Sequence, residues 1–202
     1  MFLPNYLFNA GDLVVTIGID GLVVNTAKYL DGQPLLAVNP DPVHVDGILL
    51  PFRVEQAVEA ARRVLGGDYQ ARHISMAEAC LNDGQRLRAF NDLFIGVRSH
   101  VSARYRIQTG GQAENHSSSG LIVSTGVGST GWLSSMFNMA DGLLRGFGQD
   151  GVGLPRPDLT WEAERLIYVV REPFISKTSG ASLVCGWITP ETPLLLESQT
   201  AE

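Results

Sequence analysis

At Gly66-Gly67 the character of the chain changes, and that change governs what it can fold into. Before it, short apolar runs alternate with helical patterns. Residues 12–17 form an apolar, β-branched run ending at Gly18-Ile19-Asp20-Gly21, the pattern of a buried strand entering a glycine turn. Residues 23–30 read as the opening of a helix, with Gly32 near its end, and residues 35–38 as a strand stopped by Asn39-Pro40-Asp41-Pro42. Over residues 53–65, Val54, Ala57, Val58, Ala61 and Leu65 fall on one helical face, and the double glycine ends it. Such alternation favours an α/β layer. After it, residues 69–81, 85–90, 93–98 and 101–108 read as successive strands, with Asn82-Asp83-Gly84 as a hairpin turn between the first two. Residues 121–124, 166–170 and 183–188 read as later strands, and 194–196 as a strand-like run whose partner must come from earlier sequence. The Gly- and Pro-rich stretch 146–157 fits no element. The expected organisation is an α/β part over residues 1–67 and a mostly β part over residues 68–202.

Composition narrows the function. A net charge of -6 and an isoelectric point near 5.2 argue against a protein that grips nucleic-acid backbone. Only Lys28 and Lys177 of the 15 basic residues are lysines, an arginine preference suited to phosphate but also explained by genome composition. Cys80 and Cys185 form no CxxC pattern and read as buried apolar residues of a reducing compartment. The four histidines lack metal-ligand spacing. The opening stretch contains Pro4 and no basic leader, and no apolar run approaches the roughly 18 residues of a membrane span. A cytoplasmic protein, with no membrane partner, is expected.

Three local signals carry chemistry. In Leu121-Ile-Val-Ser-Thr-Gly-Val-Gly-Ser-Thr-Gly131, glycines and hydroxyls follow a strand and offer N–H and O–H donors at close approach, which suits a nucleotide or phosphate. No Lys follows the last glycine, so it is not a Walker A loop. It spells GxGxxG, but the next strand comes too late for a dinucleotide-binding βαβ unit. In Gly18-Ile-Asp-Gly21, Asp20 could accept a proton from a substrate hydroxyl, or simply be a turn Asp bonded to its own backbone. In Phe90-Asn-Asp-Leu-Phe-Ile95, the polar pair Asn91-Asp92 needs partners or a ligand, unless it marks a bulge or turn.

The ordered set GIDG, FNDLFIG and SGLIVSTGVGSTGW resembles the NAD kinase family, whose motifs are GGDGT, LNEVVI and DGLIVSTPTGSTAY. The match is strongest over residues 85–132 and weaker over 12–135. The resemblance implies a partial α/β N-terminal layer followed by a mostly antiparallel β-sandwich domain, in a homo-oligomer. It implies phosphoryl transfer from ATP, with Mg²⁺, to the 2′-hydroxyl of NAD. Asp20 would be the catalytic Asp, flanked by Gly18 and Gly21 on the phosphate side. Asn91 and Asp92 would stand for the Asn-Glu pair that binds the dinucleotide. Thr130, Gly131 and Trp132 would match the Thr-Ala-Tyr that packs on the nucleotide, with Ser135 a nearby contact. Two alternatives stay open: a nucleotide-binding relative without kinase activity, and a sugar or lipid kinase of the same superfamily.

The departures are specific. Ile19 replaces the second Gly of GGDGT and Leu22 its Thr. If that Gly needs positive φ, Ile19 should be strained or force another loop path. Asp92 shortens the Glu, Gly126-Val127 replaces Pro-Thr, and Trp132 replaces Tyr. The family's further elements before GGDGT and after the last motif are not matched, so the sequence reads as truncated at both ends. An opening strand this apolar is expected at the centre of its sheet.

Overall fold

The computed structural model describes residues 7–149, 151 and 153–200. The chain forms two compact units, Met1–Arg72 and His73–Glu202.

The first unit runs β1 (Val14–Ile17), α1 (Asp20–Ala27), β2 (Leu35–Asn39), β3 (Phe52–Arg53) and α2 (Val54–Leu65). Its three strands are parallel, in the order β1-β2-β3, with Val14 opposite Leu35 and Val38 opposite Phe52. Val23, Ala37 and Leu50 form its core. Among the described residues β1 is an outer strand. Along it Val14 and Thr16 are buried, whereas Val15 and Ile17 are 44% and 57% exposed. Alternation of this kind is what one covered face produces. The helix α1 begins at Asp20, earlier than its apolar spacing suggests. In α2, Gln56 reaches back to the Arg53 N–H at 2.9 Å, and Gly67 (φ +77°) ends the run. Its apolar face is periodic but buries no residue, so periodicity foretells the helix and not its packing.

The second unit runs β4 (Ala77–Cys80), β5 (Arg86–Ala89), β6 (Asp92–Ile95), β7 (Ala103–Thr109), β8 (Gln112–Ser118), β9 (Leu121–Ser124), α3 (Trp132–Gly146), β10 (Leu166–Val170), β11 (Cys185–Ile188) and β12 (Leu195–Ser198). Two antiparallel sheets, β11-β10-β9-β6 and β12-β7-β8, share one core. Ala103, Tyr105 and Ile107 come to it from β7, Leu121 and Val123 from β9, and Tyr168 and Val170 from β10. On the other side of β9 and β10, Ile122 and Ile167 pack with Leu133 of α3 and with Leu159. Strand β9 is therefore buried on both faces, which is why it reads as an unbroken apolar run. The terminal run finds its partner in β7, with Leu196 opposite Ile107.

Hairpin β4–β5 turns at Gly84 (φ +85°), as the Asn-Asp-Gly signal requires. Only residues 77–80 of the 69–81 stretch are strand. Both cysteines are exposed free thiols, contrary to their reading as buried residues.

Strand β8 escapes the sequence reading because its inward residues are polar. Ser118 Oγ lies 2.8 Å from Tyr105 Oη, and the buried His116 ring stacks on Tyr105 at 5.6 Å between centroids. His116 Nε2 sits 2.8 Å from Glu114 Oε2, off the line of a good hydrogen bond. Burial opposes ionisation of Glu114, but the N–H groups of Leu183 and Ser182 and the charge of His116 hold its carboxyl below the ordinary range. A depressed carboxyl contributes stability above its unfolded pKa and loses it as pH falls through the folded value. Acid titration of Glu114→Gln should therefore show a weaker loss of melting temperature below about pH 4.5 than the parent chain.

Candidate functional site

In the first unit, Gly18 and Ile19 join β1 to α1. Ile19 is extended (φ -100°, ψ 167°), so the replacement of a glycine produces no backbone strain here. Gly18 donates to Val38 O at 3.2 Å, and the Leu22 side chain folds over it: a Cβ at Gly18 would stand 3.0 Å from Leu22 Cδ2. Asp20 opens α1, where a carboxylate complements the helix dipole. Its Oδ1 accepts the Leu49 N–H at 2.7 Å, a bond to a distant loop and not to its own turn. Asn39 holds that loop in turn: its amide donates to Val45 O at 3.0 Å and its Oδ1 accepts the Asp41 N–H at 3.0 Å. Gly21 follows Asp20 in the first helical turn, whose leading N–H groups lack intrahelical acceptors.

In the second unit the other two motifs are bonded together. Asp92 stands opposite Ser124 in the β6–β9 ladder, and Thr125 N–H donates to Asn91 O at 2.9 Å. Thr125 Oγ1 donates to Phe90 O at 2.6 Å and accepts the Gly128 N–H at 3.1 Å. Thr125 is thus the pin between the motifs, a role that its place among similar hydroxyls hides in the sequence. Gly126 and Gly128 are fixed by close approach. A Cβ at Gly126 would fall 1.8 Å from Thr160 O, and one at Gly128 2.2 Å from Asn91 O.

The Asn91 side of this joint is exposed, while Asp92 Oδ1 is buried without a hydrogen-bond partner. Burial pushes the Asp92 carboxyl above the ordinary range, opposed by the Ser124 hydroxyl. A buried carboxylate oxygen without a partner, beside Gly128 of the loop, is a functional-site signal. It also costs stability above its folded pKa, and that cost disappears as pH falls toward the unfolded value. Asp92→Asn should accordingly raise the melting temperature at neutral pH by the equivalent of about 0.5–2 kcal/mol, the usual gain on relieving a strained site. The gain should shrink near pH 4.

At Gly131 the 3-10 turn Gly128–Thr130 hands over to α3. Thr130 and Gly131 are exposed, and Ser135 Oγ turns back to Gly131 O at 3.3 Å. Trp132 is 37% exposed and stacks on Phe94, with centroids 5.5 Å apart. It is therefore no core tryptophan. Among the described residues, no three His, Cys, Asp or Glu side chains gather as a metal-ligand set. The structure brings Asn91, Asp92, Thr130, Gly131 and Trp132 into one neighbourhood of the second unit; Gly18, Asp20 and Gly21 belong to the first.

The NAD kinase of Geobacter metallireducens is 30% identical over 132 residues, 61% of this chain and 46% of that protein. Over that stretch the chain is similar to the NAD kinases. The NAD kinase of Heliobacterium modesticaldum is 32% identical over 132 residues, again 61% of this chain and 46% of the relative. Yeast NADH kinase complexed with NADH matches the fold with a TM-score of 0.63 at 16% identity, covering 95% of this chain and 49% of that one. An NAD kinase from Archaeoglobus fulgidus in complex with ATP matches with a TM-score of 0.60 at 19% identity, covering 93% and 65%. No protein-family model matches. The chain spans just under half the length of the curated relatives it matches. Among its described residues no helix is long and apolar enough to cross a membrane.

Proposed function

We propose that this chain carries the core of an NAD-kinase-like phosphotransferase, which moves a phosphoryl group from ATP to the 2′-hydroxyl of NAD and yields NADP. The observation that carries the reading is the joint in the second unit: Thr125 pins Phe90-Asn91 to the glycine loop, beside an Asp92 Oδ1 that is buried without a hydrogen-bond partner. In this reading Asn91 and Asp92 hold the dinucleotide, Thr130, Gly131 and Trp132 pack on it, and Ser135 lies at its edge. Asp20 takes the proton of the attacking hydroxyl, and the N–H groups around Gly18 and Gly21 face phosphate. Mg²⁺ would arrive on the ATP phosphates, the usual habit of an ion held by few protein ligands. A cytoplasmic homo-oligomer completes the proposal.

One observation favours a second reading, a nucleotide-binding relative without kinase activity. Leu22 packs over Gly18 and Ile19 is 60% exposed, so apolar side chains stand where the family motif has Gly and Thr. Binding of NAD, NADP and ATP should be measured separately, together with ATP-dependent NADP formation. NADP formation supports the kinase. Dinucleotide binding without turnover selects the second reading, and failure to bind any of the three defeats both.

Trp132 gives an independent readout. An aromatic face stacked on a base contributes about 1–3 kcal/mol. Trp132→Ala should weaken NAD binding by that much, and NAD should change tryptophan emission in the parent chain. Unchanged affinity would remove Trp132 from the site.

A further inference from the structure

Arg171 directly follows β10, and its backbone is fixed there. It donates to Gly120 O at 2.8 Å and accepts the Ser119 N–H at 3.0 Å, which extends the β9–β10 ladder past Leu121, the residue that opens β9. Its side chain is 26% exposed. The guanidinium carbon lies 5.2 Å from the Trp132 ring centroid and 5.7 Å from that of Phe94. Those rings are themselves 5.5 Å apart. The three groups therefore form a nearly equilateral cluster. A guanidinium and a phenyl ring that sandwiched the indole would be far more widely separated, so both lie to one side of it and the platform is not enclosed.

The rings hold the guanidinium and leave its donors unused. A guanidinium carries five N–H donors, and among the described residues none makes a hydrogen bond. Glu172 Oε1 is 3.8 Å away, too far for a hydrogen bond, on a side chain 56% exposed. Ser119, beside Arg171 in the ladder, stands where the family motif DGLIVSTPTGSTAY has its acid, so no carboxylate competes from that position. A half-buried cation held on an aromatic pair with free donors is built to receive an anion.

We propose that Arg171 is an anion-binding residue of this site, holding a phosphate group of the nucleotide whose base stacks on Trp132. The inference rests on the nucleotide reading above and adds a residue to it. Its signal in the sequence is slight: one Arg after a buried strand, in a chain where Arg is the ordinary cation.

The test is titration of the chain with adenosine, AMP, ADP and NAD by calorimetry and tryptophan emission. The parent should bind the three phosphate-bearing ligands at least about tenfold more tightly than adenosine, the margin of one charge-assisted hydrogen bond. Arg171→Met should abolish that margin and leave adenosine affinity within about twofold, while Arg171→Lys should keep part of it. Should Arg171→Met not fold, Arg171→Gln takes its place, since it removes the charge and keeps a planar polar end. A margin that survives loss of the charge overturns the proposal. So does an equal loss for adenosine and NAD, which would make Arg171 a packing support for Trp132. A parent chain that binds none of the four ligands overturns the nucleotide reading itself, and Arg171 with it.

Discussion

If the proposed kinase reading holds, Asp20→Asn should lower ATP-dependent NADP formation by about 10²–10⁴-fold, the range expected for loss of a positioned general base. NAD affinity should fall far less, because the groups proposed to hold the dinucleotide belong to the second unit. The amide is nearly isosteric, and its oxygen can still accept the Leu49 N–H that now meets Oδ1 at 2.7 Å. The fold of the first unit should therefore survive, and the variant isolates the proton-accepting capacity. Initial rates with saturating NAD and ATP, beside a binding titration, make the measurement. Near-normal turnover would show that Asp20 only ties α1 to its loop. Asn39→Ala provides a graded comparison: it frees the same loop without touching the carboxylate, so it should lower the rate less and the melting temperature more.

Gly126→Ala should be the most damaging small substitution in the second unit. The added methyl would lie 1.8 Å from Thr160 O, and a backbone oxygen cannot turn aside as a flexible side chain can. Either the glycine loop or the 159–161 segment must move. That segment carries Leu159 into the cluster with Ile122, Leu133 and Ile167, so the cost reaches the packing of α3. Overpacking of this severity costs about 3 kcal/mol or more, roughly 6–12 °C of melting temperature for a chain of this size. Gly142→Ala is the control, since a Cβ there meets nothing within 4 Å in α3. Calorimetry showing the two variants equally stable would mean that the loop and the 159–161 segment are not held as described. The same contact explains a departure from the family motif. Any side chain at Gly126, the Pro of the family included, would meet Thr160 O.

The sequence by itself determined what depends on local pattern. A change of hydrophobic period at Gly66-Gly67, the Asn-Asp-Gly turn and the unbroken apolar run of β9 each state a backbone requirement within a few residues. The three ordered motifs pointed to the NAD kinase family for the same reason, since each is contiguous in the chain. Tertiary structure decided everything that depends on partners distant in sequence. Strand β8 is polar by composition and inward-facing in fact, because Tyr105 of β7 meets the Ser118 hydroxyl and stacks on the His116 ring. Cys80 and Cys185 have apolar character yet lie at the surface. The apolar stripe of α2 forms a helix with no residue fully buried, since spacing fixes a face and not what covers it. The site follows the same division. Asn91-Asp92 and the glycine loop were legible as separate signals, but their bonding through Thr125, the stranded Asp92 oxygen and the arrival of Arg171 beside Trp132 follow from strand register, which no local run of residues encodes.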